Sequence, residues 1–126
     1  MKIREIAELL QAQVLSGGDS SAEVSSACGS DMMSDVLAYV KDQAVLLTGL
    51  VNPQVVRTAQ MMDMVCIVFV RNKQPTPEMI TLAQELGIVL MTTAKRMYEA
   101  CGILYSGGLR VSGEEHACQR RHFYCN

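Results

Sequence analysis

Residues 65–70, with the sequence VCIVFV, decide the fold class, because they have the length of one strand and carry apolar side chains on both faces. Residues 44–50 (AVLLTGL) and 88–91 (IVLM) have the same character, and a helical pattern follows each of the three segments. Strands that are apolar throughout and alternate with helices are typical of a mainly parallel sheet covered on both faces. The sequence therefore predicts a single α/β domain of three layers, a mainly parallel sheet flanked by helices on both faces.

Capping residues place helices between these strands. Asn52 is a good N-cap, and Pro53 stands at the first helical position, where its missing N–H costs nothing. The dipeptide Thr76-Pro77 repeats this chemistry before a second helix, and Gly87 is the expected C-cap glycine of that helix.

The remaining elements lie towards the two ends of the chain. An amphipathic helix over residues 2–11 precedes a short strand at residues 13–15. A strand at residues 24–28 leads into a helix through residue 40. Thr92 and Thr93 are predicted to cap a last helix over residues 94–106. These elements form a domain over residues 1–111, and residues 112–126 are predicted to be a peripheral tail.

Composition restricts the compartment and the partners. The 126 residues are 49% hydrophobic, enough for one core, with a net charge of −2 and a pI near 5.6. Basic residues are scattered, which argues against nucleic acid as a partner. The longest apolar runs have strand length, and the first residues have no apolar core of a signal peptide, so neither a membrane span nor secretion is expected. Of the five cysteines, Cys28, Cys66 and Cys101 lie inside apolar segments, and without a secretion signal these three are predicted to be reduced and buried in a cytoplasmic protein.

Catalytic motifs are missing from the predicted core. There is no Gly-x-Ser-x-Gly elbow, no Gly-x-Gly-x-x-Gly turn and no His-Glu-x-x-His pair. Both histidines lie in the tail, so no core cysteine or serine has a nearby histidine base along the sequence. We therefore expect a binding protein without a cofactor rather than an enzyme.

Small polar residues at the strand-to-helix corners are the best candidates for ligand binding. In an open parallel sheet, ligands bind beyond the carboxyl ends of the strands, where helices begin. The alternative is that these residues only cap helices, which is their commonest role. The candidate residues for a phosphate or nucleotide are Ser30, Asp31, Asn52, Thr92, Thr93, Lys95 and Arg96.

The tail contains a second candidate site. His116, Cys118, His122 and Cys125 offer four nitrogen and sulfur ligands, the number and kind that structural zinc uses. Their crowded spacing matches no familiar zinc finger, and the sequence favours no metal site there.

Five segments carry a family resemblance through their order and spacing. They are residues 30–37 (SDMMSDVL), 46–50 (LLTGL), 67–70 (IVFV) with the Pro75/Pro77 turn, 82–88 (LAQELGI) and 97–102 (MYEACG). Together they resemble the DRTGG domain, which is similar to the N-terminal domain of HPr kinase/phosphorylase. The chain looks closest to the small stand-alone members that the family associates with iron-only hydrogenase gene clusters.

The resemblance implies an α/β regulatory or interaction module with a tendency to form homodimers, linked to a redox or hydrogenase-related protein. The alternative is a sensor that binds a nucleotide or a phosphorylated small molecule at the strand ends. Two turns depart from the family's pattern. Val70-Arg71-Asn72 replaces the Thr-Gly-Gly turn after the central strand, and Val51-Asn52 replaces a Gly-Asp pair. The kinase activity is not implied, because the phosphate-binding catalytic domain is missing from the sequence.

Overall fold

The computed structural model describes residues 1–39 and 43–111, which form five helices and five strands. In chain order the elements are α1 (Ile3–Leu10), β1 (Gln13–Val14), β2 (Ser26–Gly29), α2 (Met33–Tyr39), β3 (Ala44–Thr48), α3 (Pro53–Met61), β4 (Cys66–Phe69), α4 (Pro77–Leu86), β5 (Val89–Thr92) and α5 (Met97–Ser106).

The strands form one sheet in the order β1-β5-β4-β3-β2. Strands β2 to β5 are parallel to their neighbours, and only β1 is antiparallel, with Gln13 opposite Thr92 at one edge. Because the parallel strands point the same way, their carboxyl ends and the loops that follow them meet at one edge of the sheet. The predicted mainly parallel sheet is confirmed.

Helices cover both faces of the sheet, and this explains why the central strands are apolar throughout. Helices α1 and α5 cover one face, where Ile3, Ile6 and Leu104 are buried together with Leu47 and Val68 of the strands. Helices α2, α3 and α4 cover the other face, where the buried strand residues include Leu46, Ile67 and Phe69. Each fully buried aliphatic side chain contributes about 1.5–3 kcal/mol of transfer free energy. Because helices cover both faces of the sheet, the three-layer prediction is confirmed.

The predicted caps of two central helices are confirmed. The Asn52 side chain accepts a hydrogen bond of 2.8 Å from the Gln54 N–H at the start of α3. The Thr76 hydroxyl accepts one of 3.2 Å from the Met79 N–H at the start of α4. That helix ends at Gly87 with a φ of 72°, a left-handed conformation that glycine adopts at no steric cost.

The predicted start of the last helix was wrong. Helix α5 begins at Met97 rather than residue 94, and its N-cap is Arg96, which makes no side-chain capping bond. The Thr93 hydroxyl instead donates to the Leu10 carbonyl at 2.7 Å and accepts from the Lys95 N–H at 3.2 Å. These bonds hold residues 93–95 in a turn, so the helix starts three residues later.

The cysteines differ in burial. Cys66 is fully buried, whereas Cys28 and Cys101, which were also expected to be buried, are half-buried. All three are free thiols, and burial raises the pKa of each. Within the described residues, no helix has the length and apolar character needed to cross a bilayer.

Candidate functional site

A cleft of about 450 Å³ opens at the carboxyl edge of the sheet. It is formed by the end of β2, the end of β4 and the start of α5, and is lined by residues 29–31, 70–71 and 96–98. Its position agrees with the general rule that open parallel sheets bind ligands beyond the carboxyl ends of their strands. Its volume is within the usual range of small-molecule sites.

Asp31 links two of the loops that form this edge. One of its carboxylate oxygens, Oδ1, accepts a hydrogen bond of 3.0 Å from the Thr48 hydroxyl and one of 2.7 Å from the Gly49 N–H. The loop after β2 is thereby fixed to the end of β3. Within the described part of the chain, the other carboxylate oxygen has no hydrogen-bond partner. Asp31 therefore combines a structural bond with a free acceptor at the cleft.

Two arginines line the cleft, and both are exposed. Among residues 1–39 and 43–111, no carboxylate lies within ion-pair distance of Arg71 or Arg96. The lining thus carries two unpaired cations against the single carboxylate of Asp31. Guanidinium groups bind phosphate and carboxylate oxygens in a bidentate geometry, so the part of the cleft beside the arginines is suited to an anion.

The start of α5 forms the other wall. Gly29 lets this helix approach the end of β2, because a Cβ at Gly29 would lie 2.7 Å from the Cys101 sulfur and 3.2 Å from the Met97 sulfur. Tyr98 follows in the first turn of the helix and is 93% exposed. An exposed aromatic ring beside unpaired arginines offers a flat surface on which a planar ring can stack.

The structure brings three of the seven candidate residues into the cleft, namely Ser30, Asp31 and Arg96. The Ser30 hydroxyl is engaged locally, since it donates to the Met32 carbonyl and accepts from the Met32 N–H. The serine therefore shapes the loop in this structure, while Asp31 and Arg96 present charge to the cleft.

The other four candidates do not line the cleft. Asn52 caps α3, and Lys95 lies 3.9 Å from Glu99 as an ion pair along α5. Thr92 is buried and donates to the Lys73 carbonyl at 2.8 Å, and Thr93 is buried with its bond to the end of α1. In this structure both threonines hold loops together beneath the cleft.

Sequence reasoning missed Arg71 and Tyr98. Arg71 could have been found from its position, because it stands in the turn where the resemblance leads one to expect glycine. Tyr98 had no such signal, since the sequence alone does not say which face of the first turn of α5 is exposed.

The four possible metal ligands of the tail, His116, Cys118, His122 and Cys125, lie outside the described residues. Within the described residues, no group of three His, Cys, Asp or Glu side chains is placed to hold a metal ion.

Comparison with known proteins identifies a family and a solved structure with a similar fold. The DRTGG domain profile matches residues 5–107. A search of curated proteins finds no significant match. A solved structure with a similar fold contains the CBS and DRTGG domains of the regulatory region of a Clostridium perfringens pyrophosphatase, complexed with its activator diadenosine tetraphosphate. Its TM-score is 0.67 at 13% sequence identity, and the similarity covers 81% of this chain and 45% of that chain. The present chain thus corresponds to less than half of its neighbour's length.

Proposed function

Because the chain belongs to the DRTGG domain family, we propose that it is a non-catalytic regulatory module that senses a nucleotide or a related phosphorylated small molecule. The ligand binds in the cleft at the carboxyl edge of the sheet. The observation that carries this proposal is the pair of exposed guanidinium groups, Arg71 and Arg96, which line the cleft without an ion-pair partner among the described residues.

The charges and hydrogen-bonding groups of the site favour a nucleotide over a bare phosphate. Asp31 would repel an anion on its side of the cleft, so negative charge is favoured only at the arginines. The free carboxylate oxygen of Asp31 accepts hydrogen bonds, for which a sugar hydroxyl or a base amino group is a suitable donor. Tyr98 supplies the ring for stacking. The pyrophosphatase regulatory region with a similar fold is complexed with diadenosine tetraphosphate, which is a nucleotide.

Titration calorimetry and thermal unfolding with adenosine, AMP, ADP, ATP and diadenosine tetraphosphate test the proposal. A nucleotide at one hundred times its dissociation constant adds about 2.7 kcal/mol to the unfolding free energy. Arg96→Gln should weaken nucleotide binding by about tenfold or more, because hydrogen bonds to charged groups contribute about 1.5–3 kcal/mol.

Arg57→Gln is the matched control. Arg57 is also exposed, but it lines a different groove, between α3 and α4. This variant should bind nucleotides as the wild type does. The proposal is wrong if millimolar nucleotide leaves the wild-type unfolding temperature unchanged, or if Arg57→Gln weakens binding as much as Arg96→Gln.

We also propose that the protein is a homodimer that pairs through the layer of α2 and α3. Among the described residues, three large apolar side chains are exposed on this layer, with Met32 at 61%, Leu37 at 43% and Met61 at 63%. Light scattering should give the mass of two chains for the wild type and of one chain for Met61→Lys. Leu9→Lys, at a 42% exposed site on α1 in the opposite layer, should remain dimeric. A monomeric wild type at high micromolar concentration would contradict the proposal.

The link to a redox or hydrogenase-related protein and the cytoplasmic location stay predictions.

A further inference from the structure

Arg71 has a backbone conformation that its residue type rarely adopts. Its φ is 56°, and that of Asn72 is 58°, so two consecutive residues are left-handed. Asparagine tolerates this region, but for arginine it is unfavourable. The turn is held by its own N–H groups, since Arg71 donates to the Lys95 carbonyl at 2.9 Å and Asn72 to the Thr93 carbonyl at 2.8 Å. A glycine would satisfy the same geometry without strain, and residues held in such conformations cluster at functional sites.

The side chain of Arg71 crosses from the end of β4 to the end of β3. A Cβ at Gly49 would overlap the Arg71 Nη2 and would lie 3.4 Å from the guanidinium carbon. The guanidinium therefore rests against the Gly49 backbone, in space that only glycine leaves open. The N–H of the same glycine donates to Asp31, so Gly49 contacts two of the three charged residues of the cleft.

The two arginines of the cleft come from different loops. Arg96 precedes Tyr98 by two residues at the start of α5, whereas Arg71 reaches towards β3 from the end of β4. For a nucleotide whose base stacks on Tyr98, Arg96 lies two residues before that ring and Arg71 lies on the separate loop after β4, so the first phosphate is assigned to Arg96 and a later phosphate to Arg71.

We infer that Arg71, whose guanidinium packs against Gly49, is the specificity-determining residue of the cleft and selects nucleotides by their number of phosphates. This inference rests on the proposed function and deepens it. Arg71 forms no ion pair among the described residues, so its guanidinium is available to bind a phosphate through two parallel hydrogen bonds, and each additional phosphate within its reach increases the affinity. The wild type should therefore bind AMP weakly, ADP more tightly and ATP most tightly.

Two variants separate the charge of Arg71 from its position. Arg71→Gly removes the guanidinium and suits the left-handed backbone, so the fold should not be weakened. Gly49→Ala keeps the guanidinium but displaces it, and the backbone of Gly49 is outside the left-handed region, so alanine is tolerated. Each variant should lower the affinity for ATP by about tenfold or more and change the affinity for AMP by less than about threefold.

Asn72→Gly is the matched control, because it makes the same backbone change at the neighbouring left-handed residue without removing a cation. Calorimetry with AMP, ADP and ATP on all four proteins should show a steep series for the wild type and Asn72→Gly and a flat series for the other two. ATP affinity within twofold of the wild type in Arg71→Gly, or an equal loss for AMP and ATP, overturns the inference and leaves the proposed function standing. A wild type that binds no nucleotide overturns both.

Discussion

The bond between Thr93 and the end of α1 gives the sharpest stability prediction. Leu10 is the last residue of α1, so its carbonyl has no intrahelical donor and depends on the Thr93 hydroxyl. Thr93→Val keeps the shape of the side chain and leaves this buried carbonyl and the half-buried Lys95 N–H without partners. An unsatisfied buried group costs about 1–3 kcal/mol, and we expect a loss of about 2 kcal/mol. For a chain of this length that loss lowers the unfolding temperature by about 6–10 °C.

Substitution of threonine by valine at Thr58 should instead raise the unfolding free energy. Thr58 is fully buried in α3, and within the described residues its hydroxyl has no hydrogen-bond partner. Thr58→Val removes this unpaired polar group without changing the volume, and should raise the unfolding free energy by up to about 1 kcal/mol. Thr81→Val is the neutral reference, since Thr81 is exposed on α4 and its change should stay within about 0.5 kcal/mol.

Urea unfolding and differential scanning calorimetry on the wild type and the three variants measure these differences. The reasoning is refuted if Thr93→Val unfolds within 2 °C (about 0.5 kcal/mol) of the wild type. It is also refuted if the Thr93 and Thr58 variants shift in the same direction. Nucleotide affinity should survive in folded Thr93→Val protein, because this hydroxyl holds the loop and does not line the cleft.

Three further predictions concern other parts of the chain. Asn52→Ala should cost about 1 kcal/mol in urea unfolding as a lost N-cap, and an unchanged midpoint would contradict the cap seen in the structure. Burial raises the pKa of the Cys66 thiol above its ordinary value of 9.0, so the folded protein keeps a proton that the unfolded chain loses in alkali. The unfolding free energy should therefore fall above pH 9, with a contribution from Cys66 of up to about 1.4 kcal/mol per pH unit. The slope should be smaller in Cys66→Ala, in which the raised pKa values of Cys28 and Cys101 still contribute. Ending the chain after Val111 should change the unfolding temperature by only a few degrees, about 1 kcal/mol or less, whereas a larger loss together with stoichiometric zinc in the full chain would indicate a structural metal site.

The central part of the fold could be predicted because its signals are local. Strands apolar on both faces require cover on both sides, and Asn52, Thr76 and Gly87 act on backbone groups within a few residues of themselves. The start of α5 could not be predicted in this way. Thr93 resembles an N-cap along the sequence, but its hydroxyl bonds to Leu10, which is distant in the chain and adjacent in space.

The candidate site shows the same division. The carboxyl edge of the sheet and the charged residues after β2 and β5 follow from the order of strands and helices. The position of the Arg71 guanidinium against Gly49 does not, because it depends on the pairing of β3 with β4 and on a left-handed turn. Positions where a residue departs from its family's glycine are therefore informative even when the departure first looks like the loss of a site.

The pairing of β1 with β5 has a consequence for synthesis on the ribosome. Gln13 pairs with Thr92, so the first strand waits for about 80 further residues before its partner exists. At about 5–20 residues per second this delay lasts several seconds. During it Ile3, Ile6 and Leu10 have no α5 to pack against, and the apolar face of α1 is open to chaperones or to other nascent chains. The last elements of the domain thus complete the first, and the domain can close only when nearly all of it has left the exit tunnel.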